Sequence, residues 1–209
     1  LYPDFMREVL TQFDYLKRLQ LLEAIKAQAA IPRIKKHMAL GRKVVIFHNY
    51  NQGGGFHPFR PKNLTGDADK QARAFARAHP DLVNLDLSGL DSPITALKKA
   101  FPDDLMVFNG TVSKSDRKKH AATFNDDNGD KGLILVQSAA GQAGISLHDT
   151  TGKNQRVLIN LGLPVRPTES IQIEGRIYRT GQVSNAVIEY LSTGSDYEAH
   201  AFASAVARR

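Results

Sequence analysis

Two arginines stand three residues apart in the stretch QIEGRIYRTGQ, residues 172–182, with a glutamine at each end and glycines at 175 and 181. A guanidinium keeps its charge at any physiological pH and grips phosphate oxygens through two parallel N–H donors. Two such forks on one face suit a triphosphate whose terminal group is being transferred. With roughly 100° between successive helical residues, Gln172, Arg176 and Arg179 share a narrow arc, with Glu169 at its edge. Ile173 and Ile177 flank that arc on one side, Ile171 and Tyr178 on the other. Gly175 costs a helix about 1 kcal/mol relative to alanine, which close approach by another backbone or a ligand would explain. Spacing alone leaves a second reading open, a solvated helix face whose ion pairs are worth little.

A second stretch, ILVQSAAGQAGISLHD at 134–149, passes from an apolar run into small residues. Ser138, Gly141 and Gly144 leave backbone N–H groups accessible after a strand. Such amides form an anion nest against which a sugar-phosphate chain can lie. A tight turn with small residues for packing is the alternative. A third stretch, VFNGTVSKSDRKKHAATFND at 107–126, sets Thr111, Ser113 and Ser115 ahead of Arg117, Lys118, Lys119 and His120. It could contact phosphates, or be a solvated charged face.

The elements that must hold these groups follow from periodicity. Residues 4 to about 40 read as helical, with Val9, Phe13, Leu16, Leu19, Ile25 and Ile34 recurring among charges and Pro3 and Pro32 as the breaks. KVVIFHNY (43–50) reads as a buried strand and the Gly- and Pro-rich 51–63 as a loop. A helix follows from Asp67 to before Pro80, then a strand at 81–87, a helix at 92–101 capped by Ser92, and a strand at 104–110. Next come a helix from Ser113 or Ser115, strands at 132–138 and 156–162, a helix from Pro167 to about Arg179 stopped by Gly181, a strand at 186–192 and a last helix at 196–209. This alternation predicts a parallel α/β sheet with helices on both faces and chemistry in loops beyond the carboxyl ends of the strands.

Lys and Arg number 28 against 21 Asp and Glu, a net charge of +7. That excess is compatible with a polyanionic partner, and equally with a basic protein that has none. The hydrophobic fraction of 42% can supply a core, and there are no cysteines to form disulfides or thiolate metal sites. No apolar run reaches the roughly 18 residues of a membrane span, and a cytoplasmic setting is expected. The opening LYPDFMREVL lacks both an initiator Met and a signal-peptide pattern, so the chain reads as a piece of a longer polypeptide.

Taken together, the three stretches resemble a known family. QIEGRIYRTGQ looks like motif VI of superfamily 2 helicases and translocases, SAAGQAGISL like motif V and KVVIFHNY like motif IV. Their order and intervals resemble the second RecA-like domain of these motors, over residues 41–209, with 1–40 as a helical appendage or linker. The R-x-G-Q form leans toward the Swi/Snf-like branch. GISLHD, GRIYRTGQVSN and AFASAVARR look closest to the strawberry-notch type found in phage and plasmid proteins.

The resemblance implies roles. Arg179 would be the arginine finger on the γ-phosphate, supported by Arg176, while Gln172 and Gly144 would help hold the nucleotide. Ser138, Gly141 and Thr111 would touch the phosphate backbone of DNA, with RNA not excluded. Relatives set an acidic residue after the motif V glycines against the nucleotide ribose. The nearest here is Asp149, past ISLH, and it is given no role. No G-x-x-x-x-G-K-[ST] loop and no acidic magnesium quartet occur. ATP and Mg²⁺ would therefore be held mainly by a first RecA-like domain upstream, and this piece alone would be inactive. A module that kept the fold but only binds nucleic acid or scaffolds is the alternative.

Overall fold

The computed structural model of the protein describes residues 1–141, 144–163 and 167–207. The chain opens with α1 (Pro3–Gln12) and α2 (Tyr15–Ala39). The expected breaks at Pro3 and Pro32 are corrected. Pro3 sits in the first turn of α1, where its missing N–H goes unneeded, and Pro32 lies within α2. The chain instead breaks at Phe13 and Asp14, whose extended backbone lets the Asp14 carboxylate accept from the Lys17 N–H at 2.9 Å.

Then follow β1 (Lys43–His48), α3 (Gly66–Ala78), α4 (Pro80–Val83), α5 (Pro93–Ala100), β2 (Leu105–Phe108), α6 (Lys114–Asn125) and β3 (Leu133–Gln137). The chain continues through α7 (Ser138–Gly141), β4 (Arg156–Asn160), α8 (Pro167–Glu174), β5 (Val187–Tyr190) and α9 (Asp196–Ala207). Ser92 and Ser113 cap α5 and α6 through their hydroxyls, as their positions before each helix predict. The strand expected at 81–87 is not formed. Pro80 opens a single turn closed by the Asn84 N–H on the Pro80 carbonyl at 2.9 Å. Val83 then packs against the cluster of Phe5, Val9 and Phe75, which joins α1 to α3.

The strands form one parallel sheet in the order β2-β3-β1-β4-β5. β1 is central and buried along its whole length. Its period of two splits the core. Val44 and Ile46 face Ala27, Ala30 and Ile34 of α2 and Leu97 of α5, while Val45 and Phe47 face Phe124 of α6 and Ile177. Helices therefore cover both faces of a RecA-like α/β sheet. No helix among the described residues is long and apolar enough to cross a membrane.

Two further ties hold α2 to the domain. Glu23 accepts from the Asn49 and Tyr50 N–H groups at 2.7 and 3.1 Å, fixing the chain as it leaves β1. Lys26 and Glu198 of α9 form a buried ion pair at 2.5 Å, and Glu198 also accepts from the Thr193 N–H and hydroxyl after β5.

Candidate functional site

The carboxyl ends of β1, β3 and β4 meet α8 around a cleft of about 240 Å³ whose lining includes Asn49, Ser138, Gly141, Asn160, Gln172 and Arg176. Small residues are required there. A Cβ on Gly141 would lie 2.9 Å from Val136 Cγ1 and 3.0 Å from Phe47 Cε1, both in the buried core. A Cβ on Gly162 would lie 2.7 Å from the Asn49 side-chain nitrogen. The Ser138 hydroxyl donates to the His48 carbonyl at 3.1 Å, tying the start of the glycine turn to the end of β1.

The helix bearing Gln172 is shorter than expected. It ends at Glu174, not Arg179, so Gln172, Arg176 and Arg179 do not form one helical arc. The Arg176 and Ile177 N–H groups turn to carbonyls three residues back, at 3.1 Å each. The Arg176 carbonyl leaves the helical ladder and accepts from the Leu147 N–H at 2.8 Å. Gly175 sits at this point, where a Cβ would lie 3.1 Å from the Ile171 carbonyl oxygen. No other segment among the described residues makes the close approach foreseen at Gly175; that oxygen belongs to its own preceding turn. Gly181 does not stop the helix either. It occupies the third position of a turn closed by the Gln182 N–H on the Arg179 carbonyl at 3.1 Å, and its φ of +92° suits glycine.

Both arginines are held against the segment after β3. Arg176 Nη1 donates to the Ile145 carbonyl at 3.4 Å, and Arg179 Nη1 to the Ser146 hydroxyl at 3.3 Å. Arg176 is half-buried and lines the cleft; Arg179 is exposed in the adjoining groove with Tyr178 and Gln182. Burial, and then the neighbouring positive charge of Arg179, lower the proton affinity of Arg176. Arg179 forms no ion pair among the described residues. An anion between the two forks would relieve their repulsion.

Thr111 stands apart from the cleft, beyond β2 at the edge of the sheet. Its N–H and hydroxyl both reach the Asn109 carboxamide oxygen, at 3.1 and 2.8 Å. Asn109 is buried and donates to Asn51 at 3.2 Å. Asn51 donates to Gln137 at 3.1 Å, and Gln137 to the Asn49 carbonyl at 3.2 Å. This chain of amides sets the loops after β1, β2 and β3 in register along one rim.

Of the residues singled out in the sequence, Gln172, Arg176, Ser138 and Gly141 are brought together in the cleft. Arg179 adjoins it. Gly144, with φ of +86° and open space around it, is exposed beyond the turn; Gln142 and Ala143 lie outside the described residues. Asp149 is buried and binds the Thr151 and Gly152 N–H groups and the Ser184 hydroxyl, ahead of the amino end of β4. Asn49, Asn51, Asn109 and Asn160 escaped the sequence reading. For Asn49, Asn109 and Asn160 the signal is an amide at the end of an apolar strand, in FHN, VFNG and LIN, while Asn51 carries no such signal.

Residues 110–209 match the family model of the C-terminal domain on Strawberry notch homologue. The fold matches the crystal structure of the C-terminal part of the Fun30 ATPase domain with a TM-score of 0.56, at 18% identity, over 85% of this chain and 44% of that one. Over its last hundred residues the chain is thus similar to a helicase C-terminal domain, and its fold is similar to that of an ATPase-domain C-terminal part. Transcription termination factor 2 of Drosophila melanogaster is 35% identical over 80 residues, 38% of this chain and 7% of that protein. The RNA helicase Prp28 from Chaetomium thermophilum, solved bound to ADP, overlaps more loosely, with a TM-score of 0.47 at 14% identity over 87% of this chain and 34% of that one. The chain spans less than half the length of each of these relatives.

Proposed function

We propose that this chain is the second lobe of an ATP-driven motor on DNA, with residues 41–209 closing on ATP bound by a first RecA-like lobe of the same polypeptide. The observation that carries the reading is the pair of guanidinium groups held off the end of α8 beside the carboxyl-edge cleft. Closure would bring Arg179 onto the γ-phosphate as water attacks phosphorus and the bond to the ADP oxygen breaks. Arg176 would brace the same phosphate, and Gln172 would orient nucleotide or water. The donor set fits a phosphate anion. It does not fit a metal ion, because among the described residues Glu169 is the cleft's sole carboxylate and there is no cluster of metal ligands. Mg²⁺ is therefore assigned to the first lobe. Ser138, Gly141 and Thr111 would meet the phosphate chain of the DNA, where contacts carry little sequence preference and strong salt dependence.

The test is Arg179→Ala in the full-length protein, with ATP turnover measured at saturating DNA. An arginine finger is worth about 10³ to 10⁵ in rate, so turnover should fall at least about a thousandfold while circular dichroism and nucleotide affinity hold. Unchanged turnover overturns the assignment. Ser138→Ala should raise the DNA concentration needed for half-maximal stimulation more than it alters the KM for ATP.

A further inference from the structure

The Gly- and Pro-rich loop 51–63 is not used by the reading above. It springs from the carboxyl end of β1, and its first residue, Asn51, is joined through the amide chain to the loops after β2 and β3. It therefore starts on the same rim as the proposed phosphate contacts. Gly53, Gly54 and Gly55 all take positive φ there, and Gly54 passes so close to the Leu90 carbonyl that a Cβ would lie 1.9 Å from its oxygen. This packing turns the rest of the loop toward the elbow between α1 and α2.

Between loop and elbow lies a hollow of about 360 Å³ whose lining includes Phe13, Lys17, Phe56, His57, Arg60 and Lys62. Among the described residues its lining has three cations and no carboxylate. Asp14 beside it is committed to the Lys17 N–H, and Asp86 lines the adjoining hollow on the far side of Arg60. The cations are placed rather than loose. Lys17 donates to the Gln12 carbonyl and lies 5.1 Å from the centroid of the Phe56 ring. Arg60 is fixed by the Val83 carbonyl at 2.7 Å and the Asn84 side chain at 3.3 Å. The Lys62 backbone is clamped at both ends by Gln12, while its ammonium has no partner among the described residues. Phe56 remains 42% exposed, an aromatic ring left in water inside a cationic setting.

We propose that this hollow is a second nucleic-acid contact, taking a single-stranded segment in which one base stacks on Phe56 while Lys17, Arg60 and Lys62 neutralise flanking phosphates. Exposed aromatics within a positive groove bind single strands in this way, because every base offers a π-face and every linkage a charge. The site extends the proposed function and rests on its nucleic-acid reading. It would guide the strand as it leaves the rim.

The test is fluorescence anisotropy of a labelled short oligothymidylate titrated with the 209-residue chain over a range of salt concentrations. Phe56→Ala should weaken binding about tenfold at every salt concentration. Lys62→Glu should weaken it and flatten the dependence of log K on log salt by about 0.7 or more. Both residues are exposed, and circular dichroism should report unchanged folding. If Ser138→Ala weakens binding while Phe56→Ala and Lys62→Glu do not, the loop site is overturned and the rim reading stands. A wild-type chain that fails to bind the oligothymidylate also overturns it, and binding of labelled polyglutamate in that case would reassign the hollow to an acidic protein.

Discussion

Glu23→Gln gives a pH test of how α2 is joined to the sheet. The Glu23 side chain is 2% exposed and caps two backbone N–H groups at the exit of β1. Burial is the dominant influence on its carboxyl and raises the pKa from 4.5 to about 7, against the lowering effect of those two bonds and of Lys26. In the unfolded chain the same group titrates near its ordinary value. Between those limits the folded protein holds a proton that the unfolded one has lost, so stability falls as pH rises through the window. At about 1.4 kcal/mol per tenfold change in proton affinity, the whole loss is about 3 kcal/mol.

His48, at the end of β1, works in the opposite direction. It is fully buried, its Nε2 has no hydrogen-bond partner among the described residues, and burial lowers its pKa from 6.5 to about 4. Stability due to this neutral imidazole is lost as pH falls from about 6.5 toward 4, again by about 3 kcal/mol. The two slopes oppose each other in mildly acid solution and nearly cancel. Glutamine has the shape of glutamate without the charge, so Glu23→Gln removes one slope and leaves the histidine's. Urea unfolding of both proteins, followed by circular dichroism at steps from about pH 4.5 to 8, should show the variant gaining about 3 kcal/mol on wild type across the range. It should also show the variant losing stability in acid where wild type is flatter. Parallel curves would refute the burial argument.

Two other substitutions probe the packing around the site. Gly141→Ala should destabilise by about 1–3 kcal/mol in urea unfolding, because the new methyl meets the stiff side chain of Val136 and the buried ring of Phe47; an unchanged midpoint would mean the turn has room the geometry denies. Lys26→Ala should cost about 3–5 kcal/mol, read as a fall in Tm, because it leaves Glu198 buried without its cation. An unaltered Tm would show that the hydrogen bonds from Thr193 suffice.

Much of this architecture is legible in short windows of sequence. Apolar runs of β-branched residues alternating with helical stretches identify a parallel sheet, since only strands buried on both faces read that way. Ser92 and Ser113 announce their helices because a cap acts within three residues. The stretches that resemble motifs IV, V and VI are local too, and the fold brings Ser138, Gly141, Gln172 and Arg176 of the last two together in one cleft. Where sequence reasoning failed, a distant partner had decided the outcome. Periodicity carried the arginine helix on to Arg179, but the Leu147 N–H draws the Arg176 carbonyl out of the ladder and the helix ends at Glu174. Alternation suggested a strand at 81–87, but Val83 is taken up by the Phe75 cluster. The amide chain through Asn51, Asn109 and Gln137 joins positions far apart in the chain, and so does the pairing of Lys26 with Glu198. Sequence by itself determined the alternation of the five strands with their main helices and which groups are candidates for binding phosphate, because propensity and pattern act over a few residues. Tertiary structure alone decided where helices stop, which charges are buried and which loops share a rim, because those outcomes depend on contacts whose partners lie tens of residues away.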